Sequence, residues 1–389
     1  MSQPEKATGL SSWKTMGRIG WRMMFFDKAK LIGTIFGVMF AVLLSNQQLG
    51  IFLGLINKNT MFAEHSRADL WIVAAGATNL DANSLLSNAE LMAARATEGV
   101  AVAEPLIYSN AAVLVPGGGT EPVTLIGTRA PFFLGGPWNY VKGDDTALLA
   151  PDAMVFDVLV RDDLGGLDVG DTREVNGQQV KVTALTWGLQ GFAPAFAFAE
   201  YNHALRLTKR ERAQDRFEYV LIKVAPGHDI DDVKAAVAVR TPGARVLTRD
   251  EFVASIARVL VTESQIGVSF GTSTFFGLLI GFVIVALSMF SAVIDNLREF
   301  GTLKAIGATT WDLTKLLAVQ SVTYAVIGWF VGTWVVTRVA GGIRSPGLSM
   351  IVPPWLMASS FVVMLGVCLT ASLLALLRIR KVEPGMVFR

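Results

Sequence analysis

Four stretches of this chain are long and apolar enough to cross a membrane, and they restrict its fold more than any other feature. A transmembrane helix needs about 20 mostly apolar residues. The stretches cover residues 31–56, 265–294, 313–340 and 355–377. Charged residues make up only 17% of the chain, against about a quarter in soluble proteins, because the spans contain so few. We therefore predict a membrane α-helical fold with four transmembrane helices and a large α+β domain, residues 57–264, between the first and second.

The distribution of lysine and arginine predicts the orientation, because cytoplasmic segments carry an excess of these residues. Both terminal segments, 1–30 and 378–389, are rich in them. They contribute Lys6, Lys14, Arg18, Arg22, Lys28, Lys30, Arg378, Arg380, Lys381 and Arg389. Both termini are thus predicted to be cytoplasmic, with 57–264 and the loop 341–354 outside and the segment 295–312 inside. Residues 12–30 mix tryptophan and methionine with basic residues, which predicts an amphipathic helix on the inner membrane face or a disordered basic leader.

The outer region shows the same strand, helix and strand pattern twice. The first set covers a strand at 68–73, a helix at 81–97 and two strands, 100–115 and 123–127, joined at 116–120. The second set covers 219–224, 229–239 and 244–247. A β-rich insertion, about 132–215, lies between them, and its Asn176-Gly177 pair is typical of a type I′ hairpin turn. Thr248 and Glu251 form a capping-box pattern at the start of a predicted helix, 248–265, that leads into the second span.

The first two spans are longer than a bilayer requires. At 1.5 Å per residue, 31–56 would reach about 39 Å and 265–294 about 45 Å, against a hydrocarbon core of about 30 Å. Two over-long helices that flank an outer domain indicate a stalk that carries movement between membrane and domain. A tilt of the helices is the alternative.

Small and polar residues within the spans indicate close packing of helices. Glycines four residues apart lie on one helix face and let another helix approach. The pairs are Gly33 and Gly37, Gly277 and Gly281, and Gly328 and Gly332. Near the outer end of the first span, Asn46, Gln47 and Gln48 are expected to form interhelical hydrogen bonds. A role in lining a substrate path is the alternative for this triplet.

The sequence has no motif that indicates catalysis or nucleotide binding. It lacks the GxxxxGK[ST] pattern of a P-loop. Its histidines, His65, His203 and His228, are far apart in sequence, and its one cysteine, Cys368, lies within a span. We therefore predict no catalytic, cofactor or metal site. The net charge of +2 is too small to indicate a nucleic-acid partner.

The polar segment 295–312, DNLREFGTLKAIGATTWD, is predicted to contain a short helix. Asp295 or Asn296 can cap its start, and Gly307 can end it in a left-handed conformation. Thr309 and Asp312 form a second capping pattern that opens the third span. Apolar side chains recur every third residue and form one stripe, Phe300, Leu303 and Ile306. Such a helix can dock into a groove on another protein or rest its apolar side on lipid.

The run REFGTLKAIGATTWDL at 298–313 resembles the coupling segment of the FtsX/MacB/LolC-type (type VII) ABC transporter permeases. Their layout of one span, a large outer domain and three more spans covers nearly all of this chain. The resemblance implies that a separate ABC ATPase, which holds ATP and magnesium, contacts this segment. The corresponding positions are Arg298, Glu299, Phe300, Gly301, Leu303, Lys304, Gly307 and Ala308.

Two shorter runs, QQLGIFLGLINKN at 47–59 and RIRKVEPGMVFR at 378–389, are similar to the DevC and HrtB branch of that family. The resemblance also implies a homodimer in a bacterial inner membrane, in contact with lipids. A periplasmic adaptor and an outer-membrane channel complete the path in some members.

From the resemblance we expect the permease subunit of an efflux system. Such a subunit converts ATP hydrolysis by its partner into motion of the periplasmic domain, a mechanism called mechanotransmission. The alternative is an FtsX-like transmitter that controls a cell-wall hydrolase. An outer domain of about 200 residues with two α/β units and an insertion resembles that of the exporters, whereas the signalling branch tends to have a smaller outer domain.

Overall fold

The computed structural model describes residues 13–77, 80, 85–191, 194–209, 216–342 and 349–380. The chain divides into two units, which we call the helical unit and the α/β unit. The helical unit comprises Met1–Leu53, Val268–Ile343 and Met350–Arg389. The α/β unit comprises Gly54–Gly267 and Arg344–Ser349.

The helices include four that are long and apolar enough to span a membrane, which confirms the predicted fold class. In chain order they are α1 (Trp13–Phe26), α2 (Lys28–His65), α3 (Asn88–Arg95), α4 (Tyr201–Leu207), α5 (Ile230–Arg240), α6 (Arg249–Thr262), α7 (Gln265–Asp295), α8 (Leu297–Ala305), α9 (Thr310–Gly342) and α10 (Pro354–Arg380). The candidate spans are α2, α7, α9 and the part of α10 up to Ala375.

Helix α2 continues beyond the apolar stretch 31–56 and ends only at His65. Two polar side chains of this last part bond back to the helix: Asn59 Nδ2 donates to the Leu55 carbonyl (2.8 Å) and Thr60 Oγ1 to the Ile56 carbonyl (3.2 Å). Phe62 is 1% exposed, within the core of the α/β unit. Burial of that side chain stabilises a helical end that hydropathy alone does not mark.

The α/β unit is built on one mixed sheet. Its strands are β1 (Leu70–Ala74), β3 (Val100–Leu114), β4 (Thr120–Thr128), β5 (Tyr140–Lys142), β6 (Ala153–Asp157), β7 (Thr172–Val175), β8 (Gln178–Thr186), β9 (Phe196–Glu200), β11 (Tyr219–Val224) and β12 (Ala244–Thr248). Their order is β12-β1-β11-β3-β4-β9-β6-β8-β5, and β7 pairs with β3 and β8. A separate pair joins β2 (Leu86–Ser87) and β10 (Arg216–Phe217).

Strand β3 connects the two halves of the sheet. Its first half pairs with β11 and its second half with β4. Strand β9, from the insertion predicted at about 132–215, lies parallel to β4, so the insertion extends the sheet. The predicted hairpin turn is confirmed: Asn176 (φ 51°) and Gly177 (φ 87°) join β7 to β8. Asn176 Oδ1 also accepts from the Ala112 amide (2.9 Å), which fixes the turn against β3.

The first predicted helix of the outer region is shorter than the pattern at 81–97 indicated. Helix α3 begins at Asn88, because Leu86 and Ser87 pair with β10 as a short strand. Ser87 and Glu90 form a capping box at its start, which sets the boundary locally. Residues 81–84 lie outside the described part of the chain.

Helices cover both faces of the β12-β1-β11-β3 part of the sheet. On one face, α3 and α5 bury apolar side chains such as Leu91 and Val237. On the other, Phe252 of α6 and Phe62 of α2 pack around Trp71. The capping box predicted for α6 is confirmed, with Thr248 and Glu251 as its two members.

Helix α1 differs from the predicted surface helix, because one side of it packs against α9. Met16, Gly20 and Met24 are buried, and the Gln320 side chain donates to the Gly20 carbonyl (3.1 Å). Four aromatic side chains of the same helix are exposed, namely Trp13, Trp21, Phe25 and Phe26.

Candidate functional site

One residue, Asn296, separates the end of α7 from the start of α8. The way in which α8 begins differs from the sequence prediction. Asn296 occupies the N-cap position without a capping bond; its Nδ2 donates to the Ala292 carbonyl (2.7 Å). Asp295 is paired with Lys30, which also contacts Asp27 (3.2 Å). Ion pairs therefore hold the α7–α8 junction against the α1–α2 junction, whereas the prediction placed a side-chain cap there.

One side of α8 is anchored in the core of the helical unit. Phe300 is 2% exposed and Gly301 is buried, and Leu303 packs at the edge of the same core. The core also contains Val293 of α7 and Leu316 of α9. The anchored side of α8 therefore packs in one core with side chains of two candidate spans.

The C-terminal end of α8 is a Schellman motif. The Gly307 amide donates to the Lys304 carbonyl (3.0 Å) and the Ala308 amide to the Leu303 carbonyl (2.9 Å). Gly307 has φ 104°, a backbone conformation that residues with a Cβ atom rarely adopt. Ala308 is buried. The predicted glycine stop is therefore present.

A capping box opens α9, as the sequence predicted. The Thr309 amide donates to Asp312 Oδ2 (3.1 Å), and the Asp312 amide donates to Thr309 Oγ1 (3.3 Å). Asp312 also pairs with Lys315 (3.0 Å), and both side chains are less than a tenth exposed. Two successive caps make the turn between α8 and α9 a defined corner.

The outward surface of this corner carries both charged and apolar side chains. Arg298, Glu299 and Thr302 are exposed, and Ile306 and Trp311 are 66% and 64% exposed. Arg298 and Glu299 have no ion-pair partner among the described residues. We call these five residues the α8 surface. Aromatic and arginine side chains are enriched where protein partners bind.

The structure divides the predicted ATPase-contact residues into two groups. In the first group, Phe300, Gly301 and Ala308 are buried and Leu303 and Lys304 are half-buried, so these residues anchor the helix. The second group consists of the exposed residues Arg298, Glu299 and Gly307. Ile306, predicted to continue the apolar stripe, is exposed, because α8 ends at Ala305 and the chain turns at Gly307. Thr302 and Trp311 were not predicted. Thr302 lies four residues after Arg298 on α8, a spacing visible in the sequence, whereas Trp311 belongs to α9, beyond the turn at Gly307.

Five of the six predicted packing glycines lie where another helix comes close. A Cβ at Gly332 would lie 2.9 Å from the Met39 carbonyl oxygen, and one at Gly277 would lie 3.4 Å from Leu44 Cβ. The others are Gly37 against Ile284, Gly281 against Ala41 and Gly328 against Val38. Gly33 is different: it is exposed and has no atom within 4 Å of its Cβ position, so it packs against none of the described helices.

The polar triplet of the first span includes one interhelical bond. Asn46 is fully buried, and its Nδ2 donates to Ser360 Oγ of α10 (3.2 Å). Trp329 Nε1 of α9 donates to the same hydroxyl (3.2 Å). Gln47 and Gln48 are half-buried. Ser360 of α10 therefore links α2 and α9.

Two family models match the chain. The MacB-like periplasmic core domain matches residues 31–239, and the FtsX-like permease C-terminal matches residues 271–384. No curated protein matches in sequence.

Two solved structures are similar in part. The periplasmic region of MacB from Actinobacillus actinomycetemcomitans is 11% identical, with a TM-score of 0.37, and covers 49% of this chain and 92% of that one. The extracellular domain of the noncanonic ABC-type transporter YknZ from Gram-positive bacteria is 12% identical, with a TM-score of 0.34, and covers 46% of this chain and 98% of that one. The family assignment follows from the two family models, of which the first covers more than half of the chain: this protein belongs to the ABC-type permeases of the FtsX/MacB type, multi-pass membrane proteins with a periplasmic-type domain.

Proposed function

We propose that this chain is the permease subunit of an ABC-type exporter that works by mechanotransmission. Permeases of this type work with ABC ATPase partners and are not enzymes themselves. A separate ATPase, holding ATP and magnesium, docks on the α8 surface. The chain acts as a homodimer in the bacterial inner membrane, with both termini in the cytoplasm and the α/β unit in the periplasm.

The observation that carries this proposal is the construction of α8. Phe300 and Gly301 fix the helix in the core of the helical unit, while Arg298, Glu299 and Trp311 face outward. The exposed charges Arg298 and Glu299 and the anchored, capped corner favour a protein partner over contact with lipid alone. Closure of an ATPase dimer would push on α8 and, through Phe300, on α7 and α9.

The movement would reach the α/β unit through α2. This helix has no break between Lys28 and His65, and its 38 residues correspond to about 57 Å at 1.5 Å per residue. A continuous helix of this length would be long enough to carry a displacement from the membrane into the α/β unit. The α/β unit would then expel cargo taken from the periplasm or the outer leaflet, with a periplasmic adaptor and an outer-membrane channel where the path requires them.

The FtsX-like match at 271–384 supports equally the alternative of a transmitter that controls a cell-wall hydrolase. Both functions use the α8 surface. The closer relation to the DevC and HrtB branch stays a prediction.

The test is co-purification from the native membrane in gentle detergent, followed by mass spectrometry. We expect an ABC ATPase with the intact chain, and its loss with Arg298→Glu or Glu299→Lys. Arg258→Glu and Glu174→Lys, exposed charges of the α/β unit, are the matched controls and retain the ATPase. Retention by all four variants would refute docking at α8. A cell-wall hydrolase in the purified complex would identify the transmitter.

A further inference from the structure

The α/β unit contains a cavity that the sequence did not indicate. Its volume is about 400 Å³, within the range of about 300–1,000 Å³ typical of small-molecule sites. Its walls come from α2, α6, the start of α7 and the strands β3, β4 and β9. All of its lining residues belong to the α/β unit.

About half of the wall is apolar. Phe196 and Ile256 are 2% exposed, and Leu55, Leu260 and Ile266 line the cavity beside them. Leu55 and Ile266 belong to α2 and α7, the helices that continue into candidate spans. An apolar ligand body placed here would be removed from water, which stabilises the bound state in proportion to the area covered.

Lys58 is the single charged residue among the described residues that line the cavity. It is half-buried, and no carboxylate of the described residues forms an ion pair with it. A partly buried ammonium without a partner is costly, and an anion within contact distance lowers that cost. The cavity therefore presents one cation beside an apolar half of its wall.

The acid whose charge acts on Lys58 is Asp157, and its oxygens are already occupied. They accept from the amides of Leu159 (2.9 Å), Gly188 (3.2 Å) and Leu189 (2.8 Å). Thr186 Oγ1 donates to the same carboxylate (3.0 Å). Asp157 thus holds its own loop together and leaves the Lys58 ammonium available to a ligand.

The position of Lys58 along α2 places it near the lipid headgroups. Counted from residue 31, it lies about 40 Å along the helix, against a hydrocarbon core of about 30 Å. An anionic headgroup at that depth and an apolar chain on the membrane side would meet Lys58 and Leu55 in the same order.

We propose that this cavity binds one anionic amphiphile, with its carboxylate or phosphate at Lys58 and its apolar body against Phe196, Ile256 and Leu260. The inference rests on the proposed export function and names the chemical class of its cargo. The cargo comes from the outer leaflet as a lipid or from the aqueous phase as a free amphiphilic acid, since both present the same chemistry.

The test uses the full chain in nanodiscs of zwitterionic phosphatidylcholine. The probes are a fluorophore-labelled long-chain fatty acid and its methyl ester. We expect the acid to bind at least about tenfold more tightly than the ester, the factor that corresponds to about 1.4 kcal/mol. Lys58→Gln should reduce the affinity for the acid to that for the ester and leave the affinity for the ester unchanged.

Two further variants separate charge from folding. Lys58→Arg keeps the cation and should retain the preference for the acid. Lys181→Gln, an exposed lysine of the same unit, should change nothing. Equal binding of acid and ester by the unaltered chain, or a preference that persists in Lys58→Gln, overturns the proposal.

Competition then identifies the source. Displacement of the probe by phosphatidylglycerol in the nanodisc assigns the ligand to the membrane, and displacement only by octanoate in the buffer assigns it to the aqueous phase. Displacement by neither overturns the proposal. If these experiments fail while Arg298→Glu still releases the ATPase, only the cargo class is wrong. If Arg298→Glu retains the ATPase, the proposed function is wrong whatever the probe does.

Discussion

Glu104 of β3 is a carboxyl group held inside the α/β unit. It is 4% exposed, and its Oε2 accepts from the Leu134 amide (3.3 Å). Burial raises its pKa, while the bond from Leu134 and the charges of Arg129 and Arg95 act in the opposite direction. Because burial dominates, the ionised form of Glu104 is less favourable in the folded than in the unfolded chain.

We expect Glu104→Gln to stabilise the protein at pH 8, because the amide oxygen can still accept from Leu134 and no charge is buried. Because the pKa of Glu104 is higher in the folded chain, the unaltered protein loses stability as the pH rises through the pKa of the unfolded chain and then that of the folded chain. The gain should therefore shrink as the pH falls towards 4. Thermal unfolding at both pH values measures it. A variant destabilised equally at both would show that the carboxylate is needed as such.

Close helix packing makes a second prediction at the residue scale. Gly332→Ala should destabilise the helical unit by about 1–3 kcal/mol, because its Cβ would lie 2.9 Å from the Met39 carbonyl oxygen and from Val42 Cβ. Gly33→Ala has open space and serves as the control. Unfolding in a graded detergent measures both, and an equal effect of the two substitutions would contradict the packing explanation.

At the scale of elements, α8 depends on the glycine that ends it. Gly307 has φ 104° and no atom within 4 Å of its Cβ position. A side chain at position 307 would strain the backbone but would not clash with any neighbouring atom. The Schellman motif and the capping box of Thr309 and Asp312 together set the angle at which α8 leads into α9.

Gly307→Ala should therefore cost about 1 kcal/mol of stability and reduce ATPase binding at the α8 surface. Gly366→Ala, an exposed helical glycine of α10 with open space around it, should be neutral or slightly stabilising. Thermal unfolding and co-purification of the ATPase measure the two effects. Normal ATPase binding by Gly307→Ala would mean that the corner geometry is not required for docking.

At the scale of the whole molecule, the continuity of α2 is the feature on which the proposed mechanotransmission depends. Asn57→Pro would remove a backbone bond within α2 and weaken the helix by about 3 kcal/mol, while Asn57→Ala would preserve it. We expect the proline variant to bind the ATPase normally. The ATP-dependent change in hydrogen exchange of the α/β unit should be present in Asn57→Ala and lost in Asn57→Pro. A change that persists in the proline variant would exclude α2 as the transmitting element.

Local chemistry determined much of this protein from the sequence alone. Membrane spans follow from the apolar content of a single segment, so the four spans were predictable without knowledge of the fold. The Asn176-Gly177 turn and the caps at Thr248 and Thr309 depend on residues within four positions of one another. The family resemblance of REFGTLKAIGATTWDL was also visible in the sequence, because the residues that cap and end its helices lie within one short run.

Only the tertiary structure decided which side chains of those elements face a partner. Phe300 and Ile306 belong to one apolar stripe in the sequence, yet the first is buried and the second exposed, because α7 and α9 cover only one side of α8. Gly33 and Gly332 look alike in the sequence, and only the second has a neighbouring helix. Lys58 and Phe196 are far apart in the chain and meet only because β9 joins the sheet beside β4. Burial and close approach are properties of neighbours distant in sequence, so periodicity could predict the elements and not the surfaces they share.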